Sequence, residues 1–221
     1  PICAYGSGGP YHSSSIESVL TAIRGIKVAY PSCGADLKGL LKSAVLDPNP
    51  VVVLEHKGLY WSKVPGTAAA KTPEPDSDYL LPLGLARTVL SAKTANKGEP
   101  CVAIITYGRG VHWALEAADQ LPGKMEILDL RSLAPLDETA ILDAASRCNR
   151  CLVLTEEPPR GSFAQAIAGL LADAAFEHLD APVKCLGSME VPAIPLNETL
   201  EQAVLPNAQM VLDACRELLD Y

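Results

Sequence analysis

From residue 101 onward, short apolar runs alternate with stretches of helical spacing, and that alternation leaves few folds open to the chain. Residues 101–106, 125–130, 151–155 and 183–186 are apolar runs of strand length. Between and after them, 110–121, 136–145, 163–176, 198–203 and 208–219 carry apolar residues at intervals of three and four, as an amphipathic helix requires. Strand–helix alternation of this kind specifies the α/β class, with a mostly parallel sheet and flanking helices. The start of the chain carries a weaker copy of the pattern. Residues 26–30 form a short apolar run, and Leu37, Leu40, Leu41, Ala44 and Val45 give 34–45 a helical face. Asp47-Pro48-Asn49-Pro50 must end that helix, because proline cannot continue it and disfavours helical geometry in the residue before it. Val51-Val52-Val53-Leu54 is then apolar on both faces, as in a strand of a covered parallel sheet.

Between these two patterns the periodicity stops. Pro65-Gly66, the run from Pro73 to Asp78, and Pro82 are breakers. The expected organisation is therefore the tail of one α/β domain over 1–60, a linker over 61–83, and a complete α/β domain over 84–221. At 48% hydrophobic residues, the chain has enough apolar material to bury a core. Its formal charge of −8 argues against nucleic acid as a partner, since phosphate binding needs basic stripes. No apolar run reaches the ~18 residues needed to span a bilayer. Seven cysteines, an odd number scattered through apolar segments, read as reduced thiols of a cytoplasmic protein. Cys148 and Cys151 have C-x-x-C spacing, but Cys151 opens an apolar strand and no second ligand pair exists for zinc. The pair is read as structural.

The chemistry concentrates near the start. Gly8-Gly9-Pro10-Tyr11-His12-Ser13-Ser14-Ser15 is a glycine-rich loop with one histidine and three serine hydroxyls. Histidine is the side chain suited to moving protons near neutral pH. Loops of α/β scaffolds are where ligands bind, so His12 is the candidate catalytic residue. His56, at a strand end, fits packing or a site edge, while His112 and His178 lie on helical patterns and are expected at the surface. Glu156-Glu157 ends another strand.

Read in order, Tyr11-His12-Ser13-x-Ser15-x-Glu17, Gly25-Ile26-Lys27-Val28, Asp36-x-Lys38-Gly39-Leu40-Leu41, Asp47-Pro48-Asn49-Pro50-Val51 and Glu55-His56-Lys57-x-Leu59-Tyr60 carry a resemblance. With Thr106-Tyr107-Gly108, Ile127-x-Asp129-Leu130-Arg131-x-Leu133-x-Pro135-Leu136-Asp137, Glu156 and Leu179-Asp180-Ala181-Pro182, they cover essentially the whole chain. The sequence resembles the β subunit of thiamine-diphosphate-dependent 2-oxo acid dehydrogenases, the E1 component, of branched-chain or pyruvate type within the transketolase-like superfamily. By that resemblance, 1–60 is the last part of a pyrimidine-binding domain and 84–221 a transketolase C-terminal-like domain. The implied reaction is decarboxylation of a 2-oxo acid and acyl transfer to a lipoyl group. His12 matches the family histidine assigned to acid–base steps. Glu156 matches a structural or interface position.

The resemblance also implies thiamine diphosphate and Mg2+ in the complete enzyme. Their main ligands are expected outside this chain, because the Gly-Asp-Gly motif that presents magnesium occurs nowhere in it. The activating glutamate of the family lies upstream of Pro1. The chain alone is therefore expected to be a fragment that neither binds the cofactor tightly nor turns over. Ala44, Val45, Asp47 and Asn49 resemble a segment that holds K+ in some relatives, an ordinary capped turn being the other reading. The implied partners are an E1 α subunit or fused α half, a β–β dimer contact and a lipoyl-bearing E2 component. The Glu55-to-Tyr60 element leans towards 2-oxoisovalerate and branched-chain substrates over pyruvate. A transketolase-like enzyme and a non-catalytic dimerisation or E2-docking module are the alternatives. Two departures stand out: Ser14 replaces a common glutamine, and Ala22-Ile23-Arg24-Gly25 stands where His-x-Pro-Gly is common.

Overall fold

A computed structural model of the chain describes residues 1–6, 8–60, 64–93 and 98–221. The first part contains α1 (Gly9–His12), α2 (Glu17–Thr21), β1 (Lys27–Ala29), α3 (Gly34–Leu46) and β2 (Val51–Val53). Next come β3 (Arg87–Leu90), β4 (Val102–Thr106), α4 (Gly110–Ala118), β5 (Met125–Asp129) and β6 (Ser132–Ala134). The chain closes with α5 (Glu138–Cys148), β7 (Cys151–Leu154), α6 (Phe163–Ala174), β8 (Lys184–Leu186), α7 (Glu198–Val204) and α8 (Ala208–Leu219).

The larger sheet has the order β3-β5-β4-β7-β8, parallel except where β3 runs against β5. Every residue of β4, β5 and β7 is buried. Side chains alternate across a strand, so each apolar run serves two cores. Ile105, Leu128 and Val153 face one layer with Ile141 of α5 and Ile167 and Leu171 of α6. Ile104, Ile127 and Leu152 face the other, with Trp113 and Ala117 of α4 and Val211, Leu212 and Leu218 of α8. Helix α5 starts and stops about where its spacing predicts, for local reasons. The Asp137 side chain accepts the Ala140 amide at its start, and Asn149 turns left-handed (φ 61°) at its end.

The smaller sheet has the order β2-β1-β6, with β2 parallel and β6 antiparallel to β1. Strand β6 follows β5 directly, so the second half of the chain supplies a strand to the first half's sheet. Neither β3 nor β6 is legible from spacing; each is short and is drawn into extended geometry by its partner. The stretch expected as a linker, where described, lies along α3: Leu81 is buried against Ala29 and Leu40, and the Thr72 hydroxyl accepts the Ala35 amide. The two halves meet closely at Gly108. It has φ +52°, and a Cβ there would stand 2.4 Å from the Tyr30 ring.

Candidate functional site

In the larger sheet the chain leaves β4 first towards β5 and later returns on the other side to β7. Crevices at such reversals, outside the strands' carboxyl ends, are where open α/β sheets bind ligands. The residues that follow those strands are Tyr107-Gly108-Arg109 and Thr155-Glu156-Glu157, and the N-terminal segment lies over them. Ile2 pairs with His56 as an added extended residue beside the end of β2. Three buried carboxylates from the second half then take backbone amides on either side of the histidine loop. Glu156 Oε1 accepts Ala4 N–H at 2.8 Å, Glu201 Oε1 accepts Gly6 N–H at 2.7 Å, and Glu157 Oε1 accepts Ser18 N–H at 3.0 Å. Glu157 also accepts the Ser18 hydroxyl at 2.8 Å. Between these anchors His12 ends α1, its imidazole exposed and without a hydrogen bond to another described residue.

Beneath the loop the polar groups are buried. His56 Nδ1 accepts the Gly58 amide at 3.0 Å, so its proton sits on Nε2, which donates to Glu156 Oε2 at 2.8 Å. Burial pushes the Glu156 carboxyl up. The hydrogen bond from His56, the Arg109 charge and the Ala4 amide outweigh it and hold the group below the usual range. Glu17 has no such support. It is fully buried, neither of its oxygens makes a well-directed hydrogen bond, and burial together with nearby Glu157 raises its pKa well above normal. Burial likewise raises the Cys3 thiol and the Tyr30 phenol, which hydrogen-bond to each other at 2.9 Å.

Cys3, His56 and Glu156 each offer one metal-ligand atom, all within 4.8 Å of one another. The tautomer decides against a metal: the Nε2 facing that space carries a proton and has no lone pair to give. The cluster is a hydrogen-bonded joint. With no Gly-Asp-Gly motif in the sequence, and this the sole such grouping among the described residues, the chain's donors do not fit a magnesium-bound diphosphate. A separate cleft of about 370 Å³ opens where β1 and β2 end, between Pro31, Gly34, His56, Tyr60 and Thr72.

The turn over Ala44, Val45, Asp47 and Asn49 closes α3. Ala44 O accepts the Asp47 amide, and Asp47 Oδ1 accepts both the backbone and the side-chain N–H of Asn49, at 2.9 and 3.0 Å. The Lys27 ammonium occupies Asp47 Oδ2, and these hydrogen bonds lower the Asp47 pKa to about 2. A capped turn with a built-in ammonium accounts for every contact there. His178 is exposed, as expected, but His112 is not. It is buried and donates from Nε2 to the Ser32 carbonyl at 2.8 Å across the joint between the halves, and burial lowers its pKa. Helical spacing placed it on a helix but could not show that both faces of α4 are covered. All seven cysteines are free, Cys148 and Cys151 included. Sequence reasoning noted Glu156-Glu157 as a strand-end pair but missed Glu201. Its one signal is the three-residue spacing to buried Val204 on α7.

Residues 91–211 match the family model described as transketolase, C-terminal domain, and residues 1–62 match transketolase, pyrimidine binding domain. The chain is 36% identical over 217 residues to the 2-oxoisovalerate dehydrogenase subunit beta of Bacillus subtilis (strain 168), covering 97% of this chain and 62% of that protein. It is 37% identical over 221 residues to the acetoin:2,6-dichlorophenolindophenol oxidoreductase subunit beta of the same organism, covering 97% and 60%. It is 34% identical over 208 residues to the pyruvate dehydrogenase E1 component subunit beta of Rhizobium meliloti (strain 1021), covering 93% and 42%. The chain thus spans between 42% and 62% of the length of these relatives. Among solved structures, a split gene transketolase, inactive beta4 tetramer, superposes with a TM-score of 0.70 at 20% identity, covering 99% of this chain and 65% of that one. That likeness speaks to the fold alone.

Proposed function

The chain belongs to the family of the transketolase C-terminal domain, and from that premise we propose that it acts within the β part of a thiamine-diphosphate-dependent 2-oxo acid dehydrogenase E1 component. Its role there is to present His12 to a cofactor held mainly by other residues, with an E1 α subunit or fused α half completing the site. A β–β contact and a lipoyl-bearing E2 component complete the assembly. The cofactor, when bound, supplies the electron sink for decarboxylation. The protein's task is orientation and proton transfer. The observation that carries this reading is the mounting of His12: an exposed imidazole on a loop whose flanking amides are held by three buried glutamates, two after the carboxyl end of β7 and one on α7. An imidazole meant only for packing would not be left outside such a scaffold.

The substrate reading is a branched-chain 2-oxo acid, supported by the Glu55-to-Tyr60 element and the 2-oxoisovalerate dehydrogenase relative. Pyruvate is the second reading, favoured by the relatives of that name. Cytoplasmic placement rests on the seven free cysteines and on the absence, among the described residues, of a helix long and apolar enough to cross a membrane. The Ala44–Asn49 turn takes a monovalent cation only if Lys27 leaves Asp47, and substituting Lys27→Met tests that.

The deciding experiment reconstitutes the β polypeptide, with the region that supplies the activating glutamate, together with an E1 α partner and compares turnover of 2-oxoisovalerate and pyruvate. His12→Ala is expected to lower kcat by about 10²- to 10⁴-fold with an unchanged melting temperature. Full activity in that variant, or no turnover of either acid, overturns the proposal. Calorimetric titration of the chain alone is expected to show no thiamine diphosphate binding at about micromolar affinity.

A further inference from the structure

A second cleft, of about 800 Å³, lies beside the histidine loop and shares Glu201 with the anchors of that loop. It opens between the N-terminal segment, the turn after β2, the start of α4 and helix α7. Its two cations lie against aromatic rings instead of carboxylates. Lys57 Nζ stands 4.7 Å from the centre of the Tyr5 ring, and the Arg109 guanidinium carbon 4.9 Å from that of Trp113. Neither makes an ion pair with another described residue. Arg109 Nε is buried without an acceptor.

The same cleft is lined by Glu201, only 3% exposed. Its Oε1 is taken by the Gly6 amide, while Oε2 is buried with no donor. Buried polar atoms left without partners are costly and are commonly satisfied by a ligand or water. Here a guanidinium and a carboxylate line one cleft, both incompletely paired, yet do not meet each other. A molecule carrying both charges would bridge that gap. Trp113 and Leu205 add apolar surface beside it.

We propose that this cleft binds a small zwitterion, an α-amino acid with an apolar side chain. Its carboxylate would lie at Arg109 and Lys57, its ammonium at Glu201, and its side chain against Trp113 and Leu205. An anion alone would leave Glu201 unsatisfied, and an amine alone would leave the two cations so. The site needs no proton transfer by His12, although Glu201 serves both the cleft and the loop's mounting.

The test titrates L-leucine into the 221-residue chain by calorimetry, with 4-methylpentanoate, isoamylamine and glycine as probes lacking one feature each. Arg109→Gln and Glu201→Gln are compared with the parent, and circular dichroism verifies that both fold. The side-chain carbonyl introduced by Glu201→Gln still accepts the Gly6 amide, so the clamp on the loop survives. Saturable binding of leucine at about millimolar affinity or tighter is expected, weakened at least about tenfold in each variant and for each probe. No saturable binding of leucine, binding in both variants as tight as in the parent, or 4-methylpentanoate binding as tightly as leucine would each overturn the proposal.

Discussion

Two buried polar joints fasten the first part of the chain to the larger sheet, and they solve the same problem with different charges. At one, Arg131 grips Asp36 with two hydrogen bonds of 3.0 Å, and Arg87 reaches both Asp36 and Asp129. Ser32 and His112 complete that joint. At the other, under the His12 loop, Glu156, Glu157 and Glu201 are held by backbone amides and one histidine, with Glu17 crowded among them. A guanidinium cancels the charge it binds and fixes its geometry in two contacts. An amide stabilises a carboxylate without cancelling it. Carboxylates crowded into one dry space resist ionising together, and burial with nearby Glu157 raises the Glu17 pKa well above its ordinary value. Both joints therefore respond to proton concentration, the arginine joint through Asp129 and the acid-rich joint through Glu17.

The largest effect should come from opening the arginine joint. Asp36→Ala strands Arg131, whose side chain is only 9% exposed, and is expected to cost about 3–5 kcal/mol in urea unfolding. A loss below about 1 kcal/mol would mean that the pair contributes no more than a surface bridge does.

A smaller, pH-dependent effect belongs to Asp129. Burial pushes its pKa up to about 6, despite the Ser32 hydroxyl and Arg87, and Asp36 adds to the rise. An acid whose pKa is higher folded than unfolded contributes most below its unfolded pKa, near 4. That contribution is lost as the pH rises through 6. Two pKa units correspond to about 3 kcal/mol by neutral pH. Asp129→Asn keeps an acceptor and should flatten the fall in stability between about pH 4 and 7; an unchanged slope would assign it to another group.

The smallest expected change is Glu17→Gln in the acid-rich joint. The sign is the same: stability present at low pH is lost as the pH rises through the elevated pKa of Glu17. Compared at a low and a high pH, the amide should stabilise by about 1 kcal/mol more at the high one. A destabilised variant at both pH values would show that Glu17 works as a carboxylate, and the contrast between the joints would fail.

How much of this could be read beforehand depends on what made each element. Strands β4, β5 and β7 were legible because both their faces are covered, which forces unbroken apolar runs such as Val102-Ala103-Ile104-Ile105. Helix α3 was legible from its spacing and its proline stop. Arg87-Thr88-Val89-Leu90 and Ser132-Leu133-Ala134 were not, since their extended geometry comes from strands β5 and β1, far away in sequence. His12 stood out by its company of glycines and hydroxyls. The glutamates that hold its loop did not, because a buried acid and a solvated one look alike until the amides they bind are placed.

Sequence alone settled the class of fold, the position of the histidine loop and the family likeness, because periodicity and local motifs are properties of neighbours along the chain. Tertiary structure alone decided which acids are buried and where β6 pairs. Those outcomes depend on groups more than a hundred residues apart meeting in a space from which water is excluded, as Ala4 and Glu156 do.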